Sequence, residues 1–329
     1  MVSKTNKYSY SKVNTYKSCG WKYHLTYNEG HFTYSDTLVS EFGVLVHHCE
    51  EVIGGLLQRG MPVDYDKLKD EFLNINIPKT SKFDLKGGIY GANLLKQKYP
   101  MDYFKTNDSG QSFATKVDNY LNTGVYRLEN WLKMNPGYEV YGVEKYFSIS
   151  FCDQTLSGYI DRIFYNKEEN TYIIEDIKTK DKPFKDEELV TPLQFVFYDM
   201  ALQNIINDPS AIIRCRYDLP ICEMKQDAGT SGFVKRGEDE LRQIFSKIEQ
   251  KDFAPSPSPL CAWCPFSPTN PNQPEEGKLL CPYYSLWTPE KKLYAVAASW
   301  EGMEHHKEKM DAEISKQSLA KEDDIDFDF

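Results

Sequence analysis

The amino-acid sequence predicts an α/β (α+β) fold, and a change in the spacing of apolar residues carries that prediction. Over residues 41–60, EFGVLVHHCEEVIGGLLQRG, apolar side chains recur at helical spacing up to a stop at Gly60. From Tyr138 onward, segments rich in Val, Ile, Tyr and Phe alternate with polar turns, which is typical of strands. The apolar fraction of 40% is too high for a disordered chain.

The part of the chain before the strands is predicted to be mainly helical. Residues 9–27 favour a helix capped by a serine and followed by a turn near Gly20. Residues 61–135 carry Pro and Gly breaks and one helical stretch around 113–134. We interpret 61–135 as a helical insertion.

Three consecutive strands are predicted at 139–150, 156–165 and 171–178, because β-branched and aromatic residues cluster there between polar turns. Consecutive strands joined by short turns indicate a meander. Thr191 is then placed as the N-cap, and Pro192 as the first residue, of a helix that ends near Asn207. The remaining predicted elements are a strand at 211–222, a helix at 237–251, a Pro-rich, Cys-bearing segment at 254–285 and a last helix at about 289–317.

The elements divide the chain into five predicted regions. They are N-terminal helices (1–60), the helical insertion (61–135), a core that holds the strands (136–253), a Cys-bearing region with a helix (254–310) and an acidic, disordered tail (311–329). Half of the net charge of −10 lies in that tail, where seven acids face two lysines. A local basic groove is therefore compatible with the acidic total, since phosphate binding depends on the local field.

Composition also bears on compartment and partners. No segment approaches the roughly 18 consecutive apolar residues of a membrane span, and MVSKTNKYSYSK lacks the apolar region of a secretion signal. We therefore expect a cytoplasmic protein with no membrane partner, in which the eight cysteines are thiols or metal ligands. The 23 tyrosines fill cores in most proteins but also serve as stacking platforms for unpaired bases.

The predicted meander carries two carboxylates and a lysine that suit phosphate chemistry. Asp161 lies in LSGYIDRIF, and Asp176 and Lys178 lie in YIIEDIKTKD. Residues two apart on a strand share a face, so Asp176 and Lys178 point the same way, whereas Glu175 faces away and is given no catalytic role. Hard oxygen ligands favour Mg²⁺ or Mn²⁺, and the lysine can stabilise an attacking hydroxide. The D-x-K pattern alone is also typical of a surface ion pair.

Five short motifs follow one another along the chain. They are S-x-S-x-V-x-x-Y-x-x-C at Ser9–Cys19, G-x-x-x-H at Gly43–His47 with Glu51 one turn later, G-x-I-D at Gly158–Asp161, D-x-K-T at Asp176–Thr179 and Q-x-x-x-Y at Gln194–Tyr198. In this order they make the sequence resemble the RecB-like branch of the PD-(D/E)XK nucleases, which includes CRISPR-adaptation nucleases and the AddAB and RecBCD recombination nucleases.

That resemblance implies a fold and a set of site residues. The expected fold is a restriction-endonuclease-like core with a mixed central sheet flanked by helices. The implied ligands of Mg²⁺ or Mn²⁺ are His47, Asp161, Asp176 and the backbone carbonyl of Ile177, with His48 adjacent to the histidine position. Lys178 is then the catalytic lysine, and Gln194 and Tyr198, at i and i+4 on one helix face, position DNA or the site.

Four cysteines are candidates for a second metal centre. Cys261, Cys264 and Cys281 lie near the carboxyl end, and Cys19 is the candidate fourth thiolate. In the resembled family such a set binds a 4Fe–4S cluster that joins the two ends of the nuclease domain. The interval before Cys281 is longer than is typical of that family. Zinc is the rival metal for these four thiolates, and the absence of any metal is the third alternative.

The functional hypothesis is a metal-dependent DNA nuclease, an exonuclease on single strands or duplex ends in recombination, repair or phage DNA processing. Two alternatives stay open: a non-catalytic DNA- or partner-binding module on the same fold, and a CRISPR-adaptation-type nuclease that trims prespacers. The acidic tail KEDDIDFDF, ending at Phe329, either only solubilises the chain or docks a protein partner.

Overall fold

The computed structural model describes residues 6–31, 37–78, 88–106, 111–256, 258–267, 270 and 281. The strands are β1 (Lys7–Tyr8), β2 (Asn76–Ile77), β3 (Ile89–Tyr90), β4 (Tyr138–Phe151), β5 (Gln154–Asn166), β6 (Thr171–Ile177), β7 (Ile212–Leu219) and β8 (Met224–Ala228). The α-helices are α1 (Tyr10–Ser18), α2 (Gly20–Tyr23), α3 (Leu38–Gln58), α4 (Tyr65–Asn74), α5 (Ala92–Lys98), α6 (Pro100–Tyr103), α7 (Phe113–Asn122), α8 (Arg127–Met134), α9 (Asp186–Leu189), α10 (Leu193–Ile206) and α11 (Phe233–Glu249).

Contacts divide the chain into two units. The first comprises Met1–Lys7 and Asp36–Asp239, and the second comprises Tyr8–Ser35 and Glu240–Phe329. Within the described residues, no helix has the length and apolarity that crossing a membrane requires. The predicted last helix at 289–317 and the predicted acidic tail at 311–329 lie outside the described residues.

A mixed sheet forms the centre of the first unit, with the order β4-β5-β6-β7-β8. Neighbouring strands are antiparallel except β6 and β7, which are parallel and joined through α10. Every residue of β6 is buried, as expected for a strand with neighbours on both sides. The predicted α/β fold with a mixed central sheet flanked by helices is thereby confirmed.

The predicted meander matches β4, β5 and β6 to within two residues at each end. The sequence analysis missed β8, whose residues MKQDA offer neither β-branched nor aromatic side chains. It also placed the start of α10 one residue early. Pro192, not Thr191, is the N-cap of that helix, and the Thr191 hydroxyl instead accepts a hydrogen bond from Arg236 Nε at 3.1 Å.

In the second unit the predicted turn near Gly20 is a break at Cys19. Cys19 is extended, with φ −167° and ψ 115°, and the helix resumes at Gly20. A Cβ on Gly20 would lie 2.8 Å from the carbonyl oxygen of Ala254 and 2.9 Å from the carbonyl carbon of Phe253. A side chain there would clash with backbone, so glycine permits this close approach.

In the described residues of 61–135, the predicted insertion forms the helices α4 to α8 and the short β2–β3 pair. Its apolar faces pack on α3, where Phe42 meets Phe72 edge-on and Phe72 stacks on Tyr120 with ring centroids 4.8 Å apart. Trp131 of α8 reaches the sheet and contacts Phe164 of β5 at 4.5 Å between ring centroids. The insertion and α3 therefore share one apolar core with this side of the sheet.

A cluster of buried charges lies beneath that core, with Arg162 of β5 at its centre. Only 1% of the Arg162 side chain is exposed. Its guanidinium contacts Glu50 Oε2 at 3.0 Å, Glu175 Oε2 at 2.5 Å and Asp218 Oδ2 at 2.9 Å. These acids come from α3, β6 and β7, so a single cation joins three separate elements.

Further cations balance these three carboxylates. Glu175 Oε1 accepts from Arg216 Nε at 2.7 Å and Lys225 Nζ at 2.5 Å, and Arg127 Nη2 lies 2.8 Å from Asp218 Oδ1. Burial opposes ionisation of Glu175, but the surrounding cations hold its pKa well below its usual range. We call these residues the Arg162 cluster: Glu50, Arg127, Arg162, Glu175, Arg216, Asp218 and Lys225.

Replacing Arg162 with glutamine should lower the free energy of unfolding by about 3–5 kcal/mol, because buried carboxylates lose their shared cation. The matched control is Arg214→Gln, at the exposed start of β7, which should change the free energy of unfolding by less than about 0.5 kcal/mol. Urea unfolding followed by circular dichroism measures both. Equal, small effects would show that the cluster does not hold these elements together.

Asp199 of α10 makes stability depend on pH. Burial raises the pKa of Asp199 to about 6, Glu238 adds to this, and the hydrogen bond from Gln203 opposes it. As the pH falls, Asp199 therefore takes up a proton at a higher pH in the folded state than in the unfolded state. The contribution of Asp199 to stability rises as pH falls from about 6 to about 4. Asp199→Asn should stabilise the protein by about 1–3 kcal/mol at pH 8 and by nothing below pH 4. Urea titrations at the two pH values give this difference, and equal effects at both would contradict it.

Candidate active site

The β5 strand loses its regular pairing at Asp161. Pairing of β5 with β6 ends at Arg162↔Glu175, so the next two residues, Asp161 and Asp176, lie where these strands separate. The side chain of Asp161 fills part of that gap, because Asp161 Oδ2 accepts the backbone N–H of Ile177 at 2.8 Å. The separation leaves room for two carboxylates between neighbouring strands of the sheet.

The pairing of β5 with β4 is interrupted at the same level. The register passes from Val143↔Arg162 to Lys145↔Ile160 and skips Glu144 and Asp161. Glu144 has φ 44°, the left-handed region that a non-glycine residue adopts at a cost of about 1–3 kcal/mol. Strain of this kind inside a strand is typical of functional sites.

Three side chains converge at this interruption. Ligand atoms of His47, Glu144 and Asp161 all lie within 4.8 Å of one another. Trans ligands around Mg²⁺ with bonds of about 2.1 Å are about 4.2 Å apart, so these donors need only a small movement to share one ion. Two carboxylates and an imidazole therefore fit a divalent cation here.

His47 reaches the group from α3, and its Nδ1 lies 3.7 Å from Asp161 Oδ2. On the same helix, Glu50 follows three residues later and is bound by Arg162 of the Arg162 cluster. Because residues three apart lie on the same side of a helix, the buried ion pair fixes the turn that presents His47. Neighbouring His48 is not part of the converging group, and Glu51 is exposed.

A second group surrounds Asp176, which is 1% exposed. Lys178 Nζ lies 2.5 Å from Asp176 Oδ2. Gln194 Nε2 donates to Asp176 Oδ1 at 2.7 Å and to the Tyr198 hydroxyl oxygen at 2.8 Å, and that hydroxyl donates to Asp176 Oδ1 at 3.4 Å. The structure thus brings together Asp176, Lys178, Gln194 and Tyr198.

The surroundings of Asp176 oppose the ionisation of its carboxyl group. Burial raises the pKa of Asp176 to about 6, Asp161 adds to the effect, and Lys178 and His47 act against it. Burial likewise raises the pKa of Tyr198 well above its usual value. A cation bound beside Asp176 would stabilise its ionised form.

The sequence analysis missed Glu144, although the hairpin register could have identified it. Cys152 and Asp153 form a two-residue turn, and their φ values of 50° and 58° are typical of a type I′ turn. Counting back from such a turn puts Glu144 opposite Asp161. The predicted strands stop at 150 and resume at 156, so the prediction does not define the turn and does not fix the register.

The second unit holds the four candidate cysteines around one cavity of about 120 Å³. All four line it: Cys19, Cys261, Cys264 and Cys281. Backbone N–H groups of Lys22 and Ser256 point at Cys19 Sγ, at 3.5 and 3.4 Å. Among the described residues, no three of these sulfurs lie within 4.8 Å of one another.

Burial raises the pKa of the Cys19 and Cys264 thiols. At Cys19 the backbone N–H donors oppose this effect, and charge on Cys261 adds to it. Without a positive centre between them, the thiols therefore favour the protonated form.

A family model described as the PD-(D/E)XK nuclease superfamily matches residues 7–269 of this chain. The chain belongs to the PD-(D/E)XK nuclease superfamily. The match spans all the candidate active-site residues and three of the four candidate cysteines. Membership implies a nuclease hydrolase that uses divalent metal ions, with DNA as the expected class of substrate.

Two further comparisons add no argument. None of the curated proteins compared with the chain matches it. Among solved structures, "Crystal structure of SSO0001" is similar at 17% identity over 78% of this chain and 96% of that one, with a TM-score of 0.24. A score that low supports no statement about this protein.

Removing one carboxylate from the converging group should weaken binding of Mn²⁺. Glu144→Gln and Asp161→Asn are each expected to raise the Kd at least about tenfold, because a charged oxygen ligand is lost. The exposed Glu139 of the same strand β4 supplies the control, Glu139→Gln, which should bind like wild type. Titration of free Mn²⁺ by electron paramagnetic resonance measures all four proteins. A Glu144→Gln protein with wild-type affinity would remove Glu144 from the metal site.

Proposed function

We propose that this chain is a metal-dependent DNA exonuclease acting on single strands or duplex ends. The observation that carries the proposal is the Lys178–Asp176 ion pair beside the converging His47, Glu144 and Asp161. Together these residues supply what phosphodiester hydrolysis needs, namely ligands for a divalent cation and an ammonium group next to them.

Each residue has a distinct part in the proposed reaction. His47, Glu144, Asp161 and Asp176 would hold Mg²⁺ or Mn²⁺, together with the backbone carbonyl of Ile177. The bound ion supplies Lewis-acid polarisation of the phosphate and lowers the pKa of a bound water. Lys178 directs its ammonium toward the attacking oxygen and the charge that develops on the phosphate.

Gln194 and Tyr198 act on Asp176 in this scheme. The Gln194 amide and the Tyr198 hydroxyl both donate to Asp176 Oδ1, which leaves Oδ2 directed to the Lys178 side. They therefore orient the carboxylate rather than react themselves. Imidazole is a softer ligand than oxygen, so the presence of His47 favours Mn²⁺ over Mg²⁺.

The alternative is a non-catalytic module that binds DNA or a partner on the same fold. It would not need a lysine 2.5 Å from a buried carboxylate, nor a glutamate held in a strained conformation beside an aspartate. Strained and desolvated groups destabilise a protein and persist at sites of chemistry. These two costs favour the enzyme.

We further propose that Cys19, Cys261, Cys264 and Cys281 bind a 4Fe–4S cluster. All four line one cavity, yet their sulfurs are too widely spaced for a single zinc ion, whose bonds of about 2.3 Å put sulfurs about 3.8 Å apart. In a cluster each thiolate binds a different iron atom, so wider spacing fits. The positive charge of the iron atoms would stabilise the thiolates of Cys19 and Cys264, whose pKa values burial raises.

Proposals about pathway follow from the resemblance described above. Recombination, repair and phage DNA processing are the expected settings, and trimming of CRISPR prespacers is the alternative. A neighbouring integrase gene would favour the alternative. We also propose that the acidic tail ending at Phe329 docks a protein partner.

Lys178→Ala should reduce DNA cleavage by about 10²–10³-fold, because an ammonium group aimed at developing charge is lost. Purified wild type and variant are incubated with end-labelled DNA and Mg²⁺ or Mn²⁺. Lys67→Ala, an exposed lysine on α4, is the control and should cut at the wild-type rate. Wild-type protein that leaves every DNA substrate intact would refute the enzyme proposal.

The exonuclease mode is tested by substrate topology. Linear single-stranded DNA should be degraded progressively to short products, whereas a circular single strand of the same sequence should persist. Cleavage of the circle at a similar rate would indicate an endonuclease.

The cluster is tested by anaerobic purification and visible absorption. A brown protein with a broad absorption near 400 nm, lost in Cys261→Ser but kept in Cys215→Ser, is the expected result. Colourless protein that contains stoichiometric zinc would exclude the cluster.

A further inference from the structure

Two tyrosines on the β4–β5 hairpin are unusually exposed. The side chains of Tyr146 and Tyr159 are 48% and 49% accessible, whereas eight other tyrosines of the described residues are buried. They are partners in the strand register, and their ring centroids lie 5.2 Å apart. Two adjacent, half-exposed aromatic rings form an amphipathic patch that a ligand can cover.

A lysine of the same unit completes this patch. Lys7 Nζ donates to the Tyr146 hydroxyl at 3.4 Å and lies 5.7 Å from the centre of the Tyr146 ring. The patch therefore combines two π-faces with an ammonium group. We call Lys7, Tyr146 and Tyr159 the tyrosine platform.

The platform adjoins the candidate metal site. Tyr159 precedes Asp161 by two residues on β5, so the two share a face of the strand, about 7 Å apart. Tyr146 follows Glu144 by two residues on β4. In one of its two directions, a strand of nucleic acid with a phosphate at Asp161 and Glu144 would extend onto these rings.

The ring geometry limits what the platform can hold. A base inserted between two rings needs them parallel and about 7 Å apart, twice the usual contact distance. Tyr146 and Tyr159 are instead closer than this and tilted by 56°. A base can therefore stack on an outer face but cannot be clamped between the rings.

We propose that the tyrosine platform is a binding subsite for one unpaired nucleotide of the DNA strand next to the scissile phosphate. The base stacks on a tyrosine face, and the Lys7 ammonium pairs with a backbone phosphate. Stacking on aromatic rings accepts any base and requires that the base be unpaired. The subsite rests on the proposed nuclease function for its substrate, and it selects single-stranded DNA or frayed ends over intact duplex.

Binding without cleavage tests the subsite. A fluorescein-labelled oligothymidylate is titrated with the full chain in EDTA, and anisotropy is recorded. Tyr146→Ala/Tyr159→Ala should bind 10- to 100-fold more weakly, as expected for loss of one stacked base. Tyr146→Phe/Tyr159→Phe keeps both π-faces and should bind within about twofold of wild type. Lys7→Gln should lower the slope of log affinity against log salt by about 0.7, the value for one phosphate contact on a single strand.

Two controls keep the result interpretable. Tyr141→Ala removes another partly exposed tyrosine of β4, one that contacts Tyr165 and Tyr172, and should leave affinity unchanged. An oligonucleotide of the same length with abasic residues should bind wild type about as weakly as the double-alanine variant binds oligothymidylate. This second readout needs no variant, so it holds even if the double-alanine protein does not fold.

The subsite and the nuclease proposal fail in different ways. Equal affinity of wild type for the abasic and thymidine strands would overturn the subsite, whatever the cleavage assay shows. Wild type that binds thymidine strands through the platform but cuts no DNA with Mg²⁺ or Mn²⁺ would overturn the nuclease proposal and leave the subsite standing.

Discussion

The buried guanidinium of Arg162 is the interaction on which the candidate site depends. It joins Glu50 of α3, Glu175 of β6 and Asp218 of β7 on one side of the sheet. Its neighbour in sequence is Asp161, and the neighbour of Glu175 is Asp176, so both catalytic candidates extend from residues anchored to the same cation. Because strand neighbours point to opposite faces, the ion cluster holds the backbone while the other face stays available for chemistry.

The Arg162 cluster and the candidate metal ligands lie on opposite faces of the strands, and this arrangement separates two requirements. A metal site needs carboxylates that are close together and desolvated, and such carboxylates repel one another. The Arg162 cluster cannot neutralise that repulsion, but its bonds resist the strand separation that repulsion would cause. The strain at Glu144 and the raised pKa of Asp176 are thus tolerated by a framework whose own charges are paired.

The sequence predicted the parts of this protein that depend on local pattern. The three strands of the meander, the helix that carries His47 and the facing of Asp176 away from Glu175 all follow from apolar periodicity. The polar edge strand β8 was missed because its stability comes from contacts of Lys225 with buried acids, not from its own propensity. Glu144 was missed because its importance lies in register, which depends on a turn of two residues and not on any property of glutamate. The Arg162 cluster could not be predicted at all, since its seven members come from distant segments.

The turn at Cys152 and Asp153 sets the strand register at the candidate metal site. Cys152 lies eight residues, or about 27 Å, from Glu144 along the chain, yet the length of this turn sets which residue of β5 faces that glutamate. One residue added to or removed from this turn would slide the strands and send either Glu144 or Asp161 to the opposite face. The number of residues in this exposed turn is therefore as strictly constrained as the identities of the candidate metal ligands. The identities of the turn residues themselves are constrained only by their left-handed backbone.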